Sequence, residues 1–143
     1  MKALICLLIP ILLLCASCDR ETPEEIISRE IKDILYNISR HYNWGEIDDM
    51  MEYASMDYRH NGMQRMHLRQ LWLDRMGRYP LMEIREVMVS FDGVYAIAGF
   101  KMSLISSEES VVSREPEDHG DLSFFYYDGF EWKLHGNQEF FKK

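Results

Sequence analysis

At Pro80 the hydrophobic pattern of the chain changes period, and that change restricts the fold more than any other feature. Before it, Ile27, Ile31, Ile34, Leu35, Ile38 and Tyr42 recur every three or four positions, which is one apolar stripe on a helix. Thr22-Pro23-Glu24-Glu25 supplies the start: Thr22 can cap, Pro23 suits the first helical position, and Glu25 completes a capping box. The spacing predicts a helix over 23–42, with Glu25/Arg29 and Arg29/Asp33 as ion pairs on its outer side. Asn43-Trp44-Gly45 interrupts it, and a short helix over 46–54 follows. Residues 58–62 read as a short strand entering a turn at Gly62, and a third helix is predicted over 63–76, stopping at Gly77. After Pro80 the period is two. Runs 81–91 and 94–105 flank Asp92-Gly93, and runs 122–127 and 130–141 flank Asp128-Gly129, giving two hairpins. Between them, 106–121 holds Glu108, Glu109, Glu115, Glu117, Asp118 and Asp121 against Arg114 alone, the composition of a solvated loop. Helices followed by antiparallel strands make an α+β domain.

The 143 residues suffice for one domain with a real core. Sixteen Lys and Arg against 24 Asp and Glu leave a net charge of −8, which argues against general affinity for nucleic acid. The three cysteines stand at positions 6, 15 and 18, so the predicted domain is free of thiols. Lys2, an apolar run over 3–14 and the small residues Ala16 and Ser17 describe a secretory signal peptide over 1–17. Its apolar run is shorter than the ~20 residues of an ordinary membrane span. Leu14-Cys15-Ala16-Ser17-Cys18 resembles a bacterial lipobox, with Cys15 where leucine is usual. That resemblance implies a diacylated Cys18 as the new amino terminus and a domain anchored in the bacterial cell envelope, facing the periplasm or the exterior. The alternative, plain cleavage after Ser17, would leave a lone thiol in an oxidising compartment. Residues 18–22 are then the lipidated cysteine and a very short tether, and 23–143 the domain.

The order of elements, together with Gly129-Phe130-Glu131-Trp132-Lys133-Leu134, resembles the nuclear transport factor 2-like superfamily, including its SnoaL-like branch, over about 23–141. The resemblance implies three N-terminal helices packed on a curved, mainly antiparallel sheet, folded into a cone with a pocket at its open end. Many members dimerise through the sheet, which implies a homodimer. Some are isomerases, dehydratases or cyclases, and others only bind ligands or partners.

No glycine-rich phosphate loop, Gly-x-Ser-x-Gly elbow or His-Glu-x-x-His pair occurs, and His41, His60, His67, His119 and His135 lack metal-ligand spacing. Neither a metal nor a cofactor is expected. Asp57, Tyr58 and His60 form the candidate catalytic cluster. Asp57 would be a desolvated base and Tyr58 or His60 the donor, although alternation puts Asp57 on the face opposite the other two. Trp44, Trp72, Phe124, Tyr126, Trp132 and Gln138 are candidate pocket-lining residues. Phe130, Trp132 and Leu134 should face the interior, and Lys133, His135 and Asn137 the other side. Residues 59–78 carry five arginines against Asp74, a balance of +4. Arg59, Arg65 and Arg69 could contact lipid headgroups, or form a solvated face paired with Asp48, Asp49 and Glu52. The expectation is a lipid-anchored binding protein that holds a small apolar ligand or a protein partner without catalysis. Its rivals are an envelope isomerase, dehydratase or cyclase using that cluster, and a dimeric module with an apolar sheet face.

Overall fold

A computed structural model describes residues 20–140. The leader over 1–17, Cys18 and the end of the last predicted strand at Phe141 lie outside the described residues. Helix α1 (Pro23–Trp44) begins as its capping box dictates: Thr22 Oγ1 accepts the Glu25 N–H at 3.2 Å, and Glu25 Oε2 accepts the Thr22 N–H at 2.7 Å. Gly45 ends it at φ 74°, where a side chain would be strained. Its buried stripe is Ile31, Leu35, Ile38 and Tyr42. Polar residues of the last turns stitch it to the sheet: Ser39 Oγ donates to the Met82 carbonyl at 2.8 Å, and Asn43 Oδ1 accepts the Met82 N–H at 2.7 Å.

Helix α2 (Ile47–Glu52) leads to a small hairpin of β1 (Arg59–His60) and β2 (Met63–Gln64), then to α3 (Arg65–Arg78). Helix α3 starts two residues later than the sequence predicts because Met63 and Gln64 pair with β1. It also runs through Gly77, and stops at Tyr79, whose extended backbone is the one favoured before proline.

The main sheet holds β3 (Leu81–Asp92), β4 (Tyr95–Ile105), β5 (Ser110–Glu115), β6 (Phe124–Tyr127) and β7 (Trp132–Leu134), all antiparallel neighbours. One edge of β4 pairs with β3 throughout, and the other is shared, β6 taking Tyr95 to Ile97 and β5 taking Phe100 to Ile105. Strand β3 carries an extra residue between its pairings Arg85–Lys101 and Met88–Gly99. At this bulge Glu86 adopts φ 56°, and the inward positions move from Met82 and Ile84 to Val87 and Val89. The result is three helices on a curved, mainly antiparallel sheet, as the resemblance implied.

Three expectations are corrected. The acidic segment 106–121 is not a loop throughout, since it contains β5, whose alternation turns Ser113 and Glu115 to the inner face beside Met102 and Phe100. Phe130 does not join Trp132 and Leu134 inside: it is 92% exposed. Asp128 Oδ1 accepts the N–H groups of Phe130 and Glu131, folding 128–131 into a tight turn that projects Phe130 outward. Past Leu134 the strand stops, and the chain crosses β1 through Arg59 N to the His135 carbonyl and Gln138 N to the Arg59 carbonyl. Gly136 permits that crossing, because a Cβ there would lie 2.0 Å from the Arg59 oxygen.

Candidate functional site

The inner face of the sheet and helix α3 meet at a buried polar cluster. Leu68, Trp72 and Arg75 fall three or four residues apart on α3, so Arg75 shares the buried side of the helix. Its guanidinium grips Asp121 with both ends, Nη1 to Oδ2 at 2.8 Å and Nη2 to Oδ1 at 3.1 Å. Trp72 Nε1 donates to the same Oδ2 at 3.3 Å, and Tyr58 Oη donates to the Asp121 carbonyl at 2.9 Å. Burial alone would raise the Asp121 pKa, but the Arg75 charge, with hydrogen bonds from Arg75 and Trp72, holds it below the ordinary carboxyl value. Burial, with the Asp121 charge second, pushes the Tyr58 hydroxyl far upward. Tyr58 is thus a neutral donor committed to a backbone oxygen.

Next to this pair, Glu115 is equally occupied. Its Oε1 accepts Ser113 Oγ at 2.9 Å and lies 2.8 Å from His119 Nδ1. Its Oε2 accepts the N–H groups of His119 at 3.2 Å and Gly120 at 2.5 Å. Gly120 sits at φ 75°, where a Cβ would approach His60 Cε1 to 2.9 Å. His60 Nε2 donates to the His119 carbonyl at 2.7 Å, and the ring packs on Phe124 at 5.7 Å between centroids. An open cleft of about 440 Å³ adjoins the cluster, lined among others by His60, Leu71, Arg75, His119 and Phe124.

The three residues of the predicted catalytic cluster do not converge. Asp57 is exposed and lines a second cleft of about 480 Å³ with Tyr58, Arg65, Gln138 and Phe140, whereas His60 faces the first. Asp57 therefore lacks the desolvation that a base of this type needs. It lies near His135, whose pKa is lowered by burial against a smaller opposing effect of the Asp57 charge. Among the aromatic candidates, Trp72 and Trp132 are core residues, Phe124 lines the first cleft, and Tyr126 stacks between Tyr95 and His135 on the outer face. Trp44 is 65% exposed beside Arg40 and His41. Gln138 donates to the Asp57 and His135 carbonyls and stays exposed. The arginine patch is largely engaged: Arg59 lies over Phe140, Arg65 donates to the Ala54 and Met51 carbonyls, and Arg69 pairs with Asp48.

His41, Glu46 and Asp49 bring their ligand atoms within 4.8 Å of one another at the α1–α2 junction. This grouping among the described residues has the composition of a cation site. His41 Nδ1 already lies 2.6 Å from Glu46 Oε2, a contact that also fastens the end of α1 to the start of α2.

Arg75, Glu115, His119 and Asp121 escaped sequence reasoning. Arg75 was legible, standing three residues beyond Trp72 on an apolar side. The two acids were not, because their burial depends on β5 pairing with β4.

No protein-family model and no curated protein matches the chain. Solved structures are similar at low identity. Bd1075 from Bdellovibrio bacteriovorus matches with a TM-score of 0.61 at 5% identity, over 76% of this chain and 38% of that one. A nuclear transport factor 2-like protein of unknown function from Pseudomonas putida KT2440 matches with a TM-score of 0.61 at 14% identity, over 78% and 83%. A Novosphingobium aromaticivorans protein provisionally named scytalone dehydratase matches with a TM-score of 0.53 at 11% identity, over 78% and 80%. With its three helices on a bent antiparallel sheet, the chain has the nuclear transport factor 2-like fold.

Proposed function

We propose that the protein is a lipid-anchored binding protein of the bacterial cell envelope, holding a small apolar ligand or a protein partner without catalysis. One observation carries the non-catalytic part of this reading: the buried carboxylates of Asp121 and Glu115 spend their oxygens on donors of the chain itself. A general base needs an oxygen free to take a substrate proton, and a general acid needs a proton aimed outward. Asp121 would lose the Arg75 pair on protonation, and Tyr58 spends its proton on a backbone carbonyl. Support for the anchor comes from the lipobox-like residues 14–18 and from α1 starting at Pro23. Acylation by more than one chain gives firm membrane attachment.

Labelling cells that express the full chain with radioactive palmitate tests the anchor. The expected result is a labelled mature protein whose label is lost in Cys18→Ser; an unlabelled protein overturns it. Native mass spectrometry after mild detergent extraction tests the binding role. A reproducible added mass, from a ligand or a protein partner, supports it; turnover of an envelope metabolite that Asp57→Asn abolishes favours the catalytic rival.

A further inference from the structure

We propose that the end of the domain bearing Phe130 and Val94 rests directly in the lipid bilayer that holds Cys18, so that the anchor fixes the orientation of the domain as well as its location. The inference rests on the lipid anchor proposed above. Five peptide steps separate Cys18 from Pro23, a reach of at most about 18 Å. Whatever surrounds the start of α1 must therefore lie near the membrane.

The cleft beside that helix start is mostly apolar. Ile26 and Ile27 of α1, Gly93 of the β3–β4 turn, and Tyr127 and Trp132 of the β6–β7 hairpin line an open cleft of about 370 Å³ together with Pro23, and Glu30 is its single charged lining residue. The Tyr127 N–H donates to the Val94 carbonyl at 2.8 Å, tying the two hairpin ends together. From them project Phe130, 92% exposed, and Val94, 44% exposed. The Asp128 carboxylate holds the Phe130 turn from beneath. A phenylalanine held outward by a formed turn does nothing for the core, whereas it suits insertion among acyl chains.

The arginine patch stands elsewhere. Arg65 and Arg69 contact α2, which follows the far end of α1, a 22-residue helix about 33 Å long. At the tether end Arg20 and Arg29, the latter paired with Glu21, stand among an excess of acids that also includes Glu24, Glu25, Glu30, Asp92, Asp128 and Glu131. The seat thus reads hydrocarbon and is opposed by anionic headgroups.

The test uses the full acylated chain with Phe130→Trp, reconstituted in phosphatidylcholine vesicles with or without brominated acyl chains. Bromine should cut the added emission at least about twofold, as for a side chain at acyl depth. Trp44→Phe, at the opposite end of α1, should leave the quenched portion unchanged. Replacing part of the phosphatidylcholine with phosphatidylglycerol should reduce quenching. A palmitate-labelled chain that floats with the vesicles but shows no quenching overturns the seat and leaves the anchor standing. A chain that neither labels nor floats overturns both. Loss of a detergent-stable dimer in Phe130→Ser, without quenching in Phe130→Trp, assigns this surface to a second copy and overturns the seat.

Discussion

The contact of α1 with β3 and the contact of α3 with the 110–123 segment both close the cone, yet they are built from different materials. The first is an apolar stripe, Ile31, Leu35 and Ile38, finished by Ser39 and Asn43 bonding the Met82 backbone. The second centres on a charged pair, Arg75 with Asp121, ringed by Trp72, Tyr58 and the Glu115 network. Apolar contacts degrade gradually when trimmed, because lost burial scales with the atoms removed. A buried ion pair fails abruptly, because removing one partner leaves the other charged and dry. The two regions therefore answer differently to substitution and to pH.

The largest effect should come from Asp121→Asn, which strands Arg75: about 3–5 kcal/mol of unfolding free energy in denaturant titration. Pairing it with Arg75→Met should recover most of that loss, since an apolar replacement removes the orphaned charge. In the other region Leu35→Ala should cost about 3 kcal/mol, with no partner change able to rescue it. Acid separates the regions further. Because the folded Asp121 pKa lies below the ordinary value, the pair's stabilisation is complete above about pH 4 and is lost as pH falls towards the depressed value. Stability of Leu35→Ala should retain this acid dependence, and that of Asp121→Asn should have a flatter one. Thr22→Ala, at the cap of α1, should cost about 1 kcal/mol. Phe130→Ser should change stability by less than about 0.5 kcal/mol, because the ring touches solvent.

The same contrast explains what the sequence disclosed. Helix α1 was readable to within two residues of its end because local rules, a capping box and a regular stripe, coincide with its tertiary burial. The β3–β4 hairpin was readable for the same reason, through alternation on both sides of Asp92-Gly93. The β5 segment was not. Its acidic residues carry the composition of a solvated loop, and only the forked pairing along β4 turns Glu115 inward and brings Asp121 against Arg75. Phe130 misled in the opposite direction: alternation counted from Trp132 places it inside, but the Asp128 side chain captures the N–H groups of the turn before the strand begins. The candidate trio Asp57, Tyr58 and His60 falls within four consecutive positions, yet Tyr58 reaches to Asp121 while Asp57 stays at the surface.

The central claim is that the carboxylate inside the cone is an internal pin and not a free acid. Titrating the Asp121 side-chain carboxyl by carbon-13 NMR tests it most directly. An apparent pKa below the ordinary aspartate value is the predicted result, with that pKa moving upward in Arg75→Met. A pKa well above that value in the unmodified protein would describe a desolvated, unpaired acid poised for proton transfer, and would contradict the account.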